Sequence, residues 1–496
     1  MGVATITPDD PLLQFAGFVN LRRTRERASM DRYFANDLRG AFSDGPAQSP
    51  GTRVWWRTDA EEVAIVLRYT GGLPPGRCSE RCAVTNAGEC YAADTCRNRC
   101  DVTLRVDGAA QPAATRHANG EYAGEERVVW RAVPARAAER EYEVVMPWGA
   151  VVELVRLELR GSGWGAPRLL PPPPARSFVY AAYGDSITHG WCGATPYPEL
   201  IAARHGWQSV NLGIPGMGAV GGAHGAAIAA VGAQLVSVAI GINDIFWCGA
   251  VGEPLRQTLV GIRARQPRVP LVVVTPTPSY MDGKRCTRPD GGGETLEGIR
   301  EQVREAVRAR WRGGDTSVYL VEGPTLVPFS MLVEGLHPGA GGMAQLAANL
   351  NAQMGLSPLT LAVPTCPSLA VELGGLTPRG RVALFYGSRA AQPEAPAYEL
   401  KGDMVGACGG TVLMLRPLRY FEGTADGGGR ATLRPGDGVA TDTHGCEDAL
   451  VQALDLSSCT PSRLALAADA AGRGPHGGTA AERIAAVHPP PPTLHP

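Results

Sequence analysis

The stretch Gly184-Asp185-Ser186-Ile187-Thr188 decides the fold, because it directly follows the apolar run Phe178–Tyr183. That run predicts a buried strand. In parallel sheets, ligands and reacting groups gather where the strands end, so Ser186 occupies a position suited to a nucleophile. A hydroxyl needs a neighbouring base to react at neutral pH. Taken alone, the short block favours a serine in an ordinary Gly-Asp turn, so further blocks are needed to decide.

Three further blocks follow in order, each after a predicted strand. They are Asn211-Leu212-Gly213-Ile214-Pro215-Gly216, Gly241-Ile242-Asn243-Asp244 and Glu334-Gly335-Leu336-His337-Pro338. Together with the serine block they resemble the SGNH (GDSL-like) hydrolases, whose four blocks supply Ser, Gly, Asn and His. The resemblance implies an α/β three-layer core, in which a parallel sheet lies between helices.

The resemblance also implies a role for each block. Ser186 is expected to be the nucleophile and His337 its general base. The backbone N–H groups of Ser186 and Gly216 and the side-chain amide of Asn243 are expected to form the oxyanion hole. Donors already aimed at the substrate carbonyl oxygen stabilise the negative charge that it gains on attack. This chemistry is expected to need no metal ion and no organic cofactor.

The acidic position of the last block departs from the family pattern. The family has Asp three residues before the histidine, whereas this chain has Glu334. Glu334 is expected either to orient His337 or to point to solvent, in which case a Ser–His dyad does the chemistry. If it orients the histidine, its loss should reduce activity less than loss of the histidine does.

Two tryptophans lie close in sequence to the catalytic blocks. Trp191 follows Ser186 by five residues, and Trp247 follows Asn243 by four. Their side chains are expected either to form a platform for a sugar ring or to pack as the core of their loops.

Four further polar residues near the blocks are interpreted as structural. Asp185 and Asp244 are typical turn residues. His189 and His224 lie near the predicted rim of the sheet, where a plain loop role is favoured over contact with substrate.

Sequence patterns divide the chain into three regions and a tail. Alternating β-branched residues over 1–170 predict an N-terminal β-sandwich, jelly-roll-like, with a cysteine-rich loop. The proline run 171–174 predicts a stiff linker. Alternating strands and helices over 176–357 predict the hydrolase core. The pattern of residues 358–470 predicts a small C-terminal β domain. The composition of residues 471–496 predicts a disordered tail.

The twelve cysteines are clustered and even in number, which indicates an oxidising compartment. A bridge between Cys192 and Cys248 is expected, because each follows a catalytic block, while Cys90 and Cys286 are left over and are expected to be free. Disulfides are favoured over zinc for the first cluster, since three residues rather than two separate the cysteines of each CxxxC pair and no histidine lies close by. That cluster contains Cys78, Cys82, Cys96 and Cys100, and Cys366, Cys408, Cys446 and Cys459 are expected to make two further bridges.

Composition excludes several classes of protein. The formal net charge is −1 and no run of like charges occurs, which argues against a nucleic-acid partner. No apolar run reaches the roughly 18 residues of a transmembrane span. The first residues show no leader peptide, so the cysteines favour a secreted protein that lacks its leader, and a cytoplasmic protein with reduced thiols is the alternative.

A β-sandwich before an SGNH core, with the nucleophile block written Tyr183–Thr188, resembles carbohydrate esterases that remove acetyl groups from polysaccharides. The expected function is therefore that of a serine esterase for small acyl esters, with an acylated small molecule or polysaccharide as substrate. The same fold also serves lipase-like enzymes, aryl esterases and thioesterases. The alternative from another class is a glycan-binding protein with a degenerate, non-catalytic core.

Overall fold

The computed structural model divides into two compact units, Met1–Val269 with His337–Ala340, and Pro270–Leu336 with Gly341–Pro496. It describes residues 2–32, 48–72, 102–111, 115–118, 125–130, 139–161, 166–171, 176–193, 195–218, 221–286, 293–315 and 317–354, and then 360–361, 371–374, 379, 381–388, 398–399, 412–413, 419–426, 430–433, 449–455, 460–461 and 465–466.

Antiparallel strands form two sheets in the N-terminal part of the first unit. The strands are β1 (Gly2–Ile6), β2 (Gln14–Ala16), β3 (Asn20–Arg23), β4 (Ala28–Asp31), β5 (Arg53–Thr58), β6 (Glu62–Gly72), β7 (Thr103–Val106), β8 (Ala109–Ala110), β9 (Thr115–Ala118), β10 (Glu125–Trp130), β11 (Arg140–Val145), β12 (Ala150–Gly161) and β13 (Leu169–Leu170). One sheet has the order β3-β4-β12-β6-β10-β9, with β1 beside β12. The other has the order β13-β5-β11-β7-β8, with β2 beside β5.

The two sheets share one hydrophobic core. Val54 and Trp56 of β5 are buried together with Ile65 and Leu67 of β6, which belongs to the other sheet. Alternate residues of a strand point to the same face, so each sheet contributes one such row of side chains. These strands confirm the predicted β-sandwich, and Gly2–Leu170 is called the sandwich below.

Strands and helices alternate after the sandwich. The first unit continues with β14 (Val179–Gly184), α1 (Ser186–His189), α2 (Tyr197–His205), β15 (Gln208–Gly213), α3 (Gly222–Ala230), β16 (Leu235–Ala239), α4 (Asp244–Trp247) and α5 (Gly252–Arg265). β14 pairs in parallel with β15 on one side and with β16 on the other. Because β14 lies in the middle, its residues Tyr180–Tyr183 are fully buried.

The second unit begins with the same alternation. It contains β17 (Leu271–Val274), α6 (Leu296–Arg312) and β18 (Val318–Val321), and α7 (Ala340–Gln353) closes the core, with two short 3-10 helices at Gly323–Thr325 and Phe329–Met331. β17 and β18 are parallel. α6 buries its apolar stripe, as the three-to-four-residue spacing predicts. Parallel strands with intervening helices confirm the predicted α/β hydrolase core.

The sequence pattern does not predict α3, which is rich in glycine and alanine. Its glycines allow it to approach α5 closely: a side chain at Gly225 would collide with the backbone of Thr258 and Gly261, and one at Gly261 with the carbonyl of Gly222. Glycine lowers intrinsic helix propensity, so this helix depends on tertiary packing rather than on a local signal.

The remaining strands of the second unit are short. They are β19 (Thr360–Leu361), β20 (Val371–Gly374), β21 (Arg381–Ser388), β22 (Tyr398–Glu399), β23 (Val412–Leu413), β24 (Arg419–Thr424), β25 (Ala431–Leu433), β26 (Ala449–Asp455), β27 (Thr460–Pro461) and β28 (Ala465–Leu466). Their pairings are antiparallel, in keeping with a small β domain. The predicted domain limits stay predictions, and the predicted tail lies outside the described residues. No helix in the described part of the chain is long and apolar enough to cross a membrane.

Candidate active site

Ser186 lies at the tight turn between β14 and α1. Asp185 caps the helix, and its carboxylate accepts a hydrogen bond from the N–H of Ile187 at 2.8 Å. The chain needs glycine at 184, because a side chain there would collide with Thr188 and with the carbonyl of Ala239. The serine is therefore held at the carboxyl end of the strand, as the sequence predicts.

The structure brings Ser186 and His337 together. The Oγ atom of Ser186 lies 2.7 Å from Nε2 of His337, and both residues are 6% exposed. In the neutral imidazole one ring nitrogen accepts, so this nitrogen can take the proton of the hydroxyl. The distance is that of a nucleophile and its base.

Gly216 lies in a tight turn that follows β15. The N–H of Met217 donates to the carbonyl of Ile214 at 3.1 Å. Pro215 occupies the second position of this turn, and Gly216 has a φ of +69° at the third, which is the pattern of a type II turn. The N–H of Ile214 donates to the carbonyl of Gly184 at 2.9 Å, so the turn is tied to the strand that leads to Ser186.

Asn243 is anchored to the same turn. Its Nδ2 donates to the carbonyl of Met217 at 3.0 Å, and the residue is 8% exposed. An amide nitrogen carries two hydrogens, so one is left for a further acceptor. The elements that carry Ser186, Gly216 and Asn243 are thus joined by direct hydrogen bonds.

Aromatic rings surround the histidine. The ring of Trp191 lies 6.2 Å from that of His337, and Trp148 of the sandwich lies 5.5 Å from Trp191. Trp247 is 63% exposed, so for this residue the alternative of packing as loop core is wrong. The sequence pattern does not single out Trp148, although a bulky aromatic residue in the short turn Pro147-Trp148-Gly149 between two strands is a signal that could have found it.

The expected plain loop role of His189 and His224 is wrong, because both lie on helices with buried rings. The Nδ1 atom of His224 lies 2.8 Å from the hydroxyl of Tyr183, and burial lowers the pKa of His224 to about 4. His189 is fully buried, and neither ring nitrogen has a hydrogen-bond partner in the described part of the chain. Burial, together with the charges of Arg32 and His337, lowers the pKa of His189 well below its usual range. Both rings are therefore neutral at physiological pH.

The acidic residues differ in their surroundings. Burial, together with the charge of Asp244, raises the pKa of Asp185 to about 7, while the hydrogen bond from the helix N-terminus opposes the shift. Glu334 is half-buried in the second unit, and its role in orienting His337 stays a prediction.

Cys192, Cys248 and Cys286 are all disulfide-bonded. The expectation that Cys286 is free is wrong, because proximity between distant loops, and not spacing in the sequence, decides which thiols pair. Because Cys192 is disulfide-bonded, its sulfur is not available as a thiolate ligand for a metal ion near Ser186. The remaining cysteines, including the first cluster and those beyond residue 358, lie outside the described residues.

Comparisons with known proteins support the fold. Residues 182–345 match the model of the GDSL-like lipase/acylhydrolase family, whereas no curated protein matches the sequence. The salicylyl-acyltransferase SsfX3 from a tetracycline biosynthetic pathway has a similar structure, at 21% identity and a TM-score of 0.56, over 71% of this chain and 97% of that one. So has a putative GDSL-like lipase from Bacteroides ovatus ATCC 8483, at 13% identity and a TM-score of 0.55, over 72% and 98%.

A family two carbohydrate esterase from Cellvibrio japonicus also matches, at 15% identity and a TM-score of 0.46, over 72% of this chain and 98% of that one. The first two structures share the fold, and the family model covers the segment that carries the four blocks. Residues 182–345 therefore form a GDSL-like lipase/acylhydrolase domain, and the chain shares its fold with the first two structures.

Proposed function

We propose that the protein is a serine esterase that removes small acyl groups, above all O-acetyl groups, from a carbohydrate. The observation that carries the proposal is the distance of 2.7 Å between Ser186 Oγ and His337 Nε2 at the end of β14. In the proposed reaction, Ser186 attacks the acyl carbon while His337 takes its proton. His337 then gives the proton to the leaving alcohol, and water hydrolyses the acyl-enzyme by the same route.

The oxyanion hole is proposed to consist of the N–H groups of Ser186 and Gly216 and the side-chain amide of Asn243. The hydrogen bond from Asn243 to Met217 supports this assignment, because it fixes the amide beside the turn that presents Gly216. Donors fixed in advance need no reorganisation when charge develops on the carbonyl oxygen.

Trp191 and Trp148 form an aromatic wall beside His337. This wall supports a carbohydrate as the alcohol component of the ester. Ligand sites are lined by aromatic surfaces with few polar groups, and Trp191 places such a surface next to His337. Trp247 offers a second, exposed ring four residues after Asn243. The disulfide-bonded cysteines support a location outside the reducing cytosol.

The first experiment measures acetate released from acetylated xylan, beside hydrolysis of nitrophenyl acetate, butyrate and octanoate. We expect acetate release that disappears in Ser186→Ala and activity that falls with acyl length. Equal or better activity on octanoate would contradict the small-acyl assignment and favour a lipase-like esterase.

A fluorophosphonate probe tests the nucleophile itself. Labelling should vanish in Ser186→Ala and persist in Ser330→Ala, which removes an exposed hydroxyl. Failure of the folded wild type to react would overturn the serine mechanism and leave a binding protein with a degenerate core as the alternative.

A further inference from the structure

A buried arginine of the sandwich contacts the end of β15. Arg32, which directly follows β4, is 1% exposed. Its Nη1 donates to the carbonyls of Asn211 and Gly213, at 2.6 and 2.9 Å, and its Nε donates to the carbonyl of Gln48 at 2.6 Å. One guanidinium group therefore joins the sandwich to the last residues of a strand of the hydrolase core.

The two carbonyls belong to the side of β15 that faces away from β14. β15 is the first strand in its sheet order, and alternate residues of a strand direct their carbonyls to the same side. An edge strand leaves such groups without a ladder partner. Arg32 supplies that partner from the sandwich: its Nη1 bonds both carbonyls, while the bond from Nε to the Gln48 carbonyl holds the planar guanidinium in place.

The end of β15 also connects the two parts of the proposed catalytic site. The side chain of Asn211 donates to the carbonyl of Thr188 in α1 at 2.8 Å and accepts the N–H of Gly213 at 2.9 Å. Gly213 is followed at once by the turn that presents Gly216. A shift of this strand end would move the Gly216 N–H relative to Ser186.

We propose that Arg32 is a positioning residue for the oxyanion hole, which it holds in place through the carbonyls of Asn211 and Gly213. The inference rests on the proposed function. It makes the sandwich a structural part of the catalytic site, although Arg32 itself does not touch the reacting atoms. A displacement of about 1 Å in such a group typically lowers the rate by about a hundredfold.

The other end of β15 offers a matched control. Arg53 of the sandwich is 2% exposed, like Arg32. It bonds the Oγ of Ser209 near the start of the strand, pairs with Glu143 at 3.2 Å, and donates to the carbonyl of Gly51 at 3.3 Å. Both arginines are thus buried and both hold β15, but only Arg32 lies at the end that leads to Gly216.

The test compares Arg32→Lys with Arg53→Lys and Ser209→Ala by nitrophenyl acetate kinetics and thermal unfolding. Lysine keeps the charge but has no second nitrogen to bond the Gln48 carbonyl while the first bonds Asn211 and Gly213, so we expect kcat to fall by about ten- to hundredfold in Arg32→Lys, with KM within about twofold. The two control variants should lose thermal stability while their kcat stays within about threefold of the wild type. If Arg32→Lys does not fold, Arg32→Gln, whose amide can still donate to one carbonyl, takes its place.

A double-mutant cycle with Asn243→Ala separates positioning from general destabilisation. Both Arg32 and Asn243 would act on the oxyanion hole, so the losses in kcat of Arg32→Lys and Asn243→Ala should be less than multiplicative. Those of Ser209→Ala and Asn243→Ala should multiply.

Two results would overturn the inference, and they are distinguishable. A wild type without Ser186-dependent turnover would overturn the proposed function and the inference with it. An active wild type whose Arg32→Lys variant keeps its kcat, or changes kcat only as the Arg53 and Ser209 controls do, would overturn the inference alone.

Discussion

The turn that carries Ser186 and the sandwich turn that carries Trp148 lie close to the same histidines, but they are held in different ways. The Ser186 turn is closed by its own backbone, since the N–H groups of Gly190 and Trp191 donate to the Ser186 carbonyl at 3.0 and 2.9 Å. Trp148 reaches the site by ring packing against His189 and Trp191. A few consecutive residues fix Ser186, whereas Trp148 comes from a distant part of the chain.

This difference separates two kinds of functional effect. Changes in the catalytic blocks should alter the rate of the chemical step and leave most of the packing intact. Changes in the sandwich should alter binding, positioning or stability, because its residues come from a distant part of the chain and act on the site through packing and hydrogen bonds. The predictions below test that separation, from the largest expected effect to the smallest.

Ser186→Ala and His337→Ala should each lower kcat for nitrophenyl acetate by about 10⁴–10⁶-fold, and the double variant should be no slower. The reason is that the hydroxyl and the imidazole act as one unit, linked at 2.7 Å. Steady-state kinetics of the three variants test this. Losses that multiply in the double variant would show that the two residues act separately.

Asn243→Ala should lower kcat by about 10²–10³-fold, because it removes one donor to the developing oxyanion. Asn349→Ala is the control: Asn349 is also a buried amide and donates to the carbonyls of Thr325 and Leu326, at 3.3 and 3.0 Å. Its variant should lose stability but keep kcat. Similar kcat values for the two variants would show that Asn243 is not part of the oxyanion hole.

Glu334→Gln should lower kcat by about tenfold, far less than His337→Ala, because a carboxylate that orients the base helps it without reacting itself. The measurement is kcat of both variants on the same ester. An unchanged kcat in Glu334→Gln would contradict the orienting role and favour the Ser–His dyad.

The sequence predicts well that Ser186 follows a buried strand, because the apolar pattern of β14 is local. It does not predict Arg32, whose bond to Gly213 joins residues 181 positions apart. Nothing in the residues around Arg32 distinguishes it from the many exposed arginines of the chain. Helix α3 is not predicted for a similar reason, because its glycines are needed only for the close approach to α5, which the local sequence does not show.

Trp148 is buried and packs on Trp191, so the smaller ring of Trp148→Phe should loosen that packing and raise KM for acetylated xylan by about two- to tenfold. The kcat for nitrophenyl acetate should change little, because the catalytic blocks are untouched. Trp207→Phe is the control, since its ring packs on Phe178 at 4.2 Å. Equal effects of the two variants on KM would exclude Trp148 from the substrate wall.

The contact between Glu199 and the sandwich can be tested by measuring protein stability alone. This residue of α2 is 2% exposed, and a side chain at Gly51 of the sandwich would collide with its carboxyl group. Burial raises its pKa to about 7, from an ordinary value of 4.5, against the opposing charge of Arg53. Between these two pH values the folded protein holds a proton that the unfolded chain releases, so stability falls as pH rises through this window and is level above it.

Glu199→Gln removes the titrating group but keeps the shape of the side chain. The variant should therefore unfold at a higher temperature than the wild type at about pH 8, with the difference shrinking towards about pH 5. Asp185, whose pKa is also raised to about 7, titrates in both proteins, so the difference between them isolates Glu199. Glu253→Gln, on the exposed face of α5, should differ from the wild type by an amount that does not vary with pH across this window. A gap between Glu199→Gln and wild type that does not vary with pH would mean that Glu199 is ionised in the fold, and that contact with the sandwich does not keep its carboxyl group protonated.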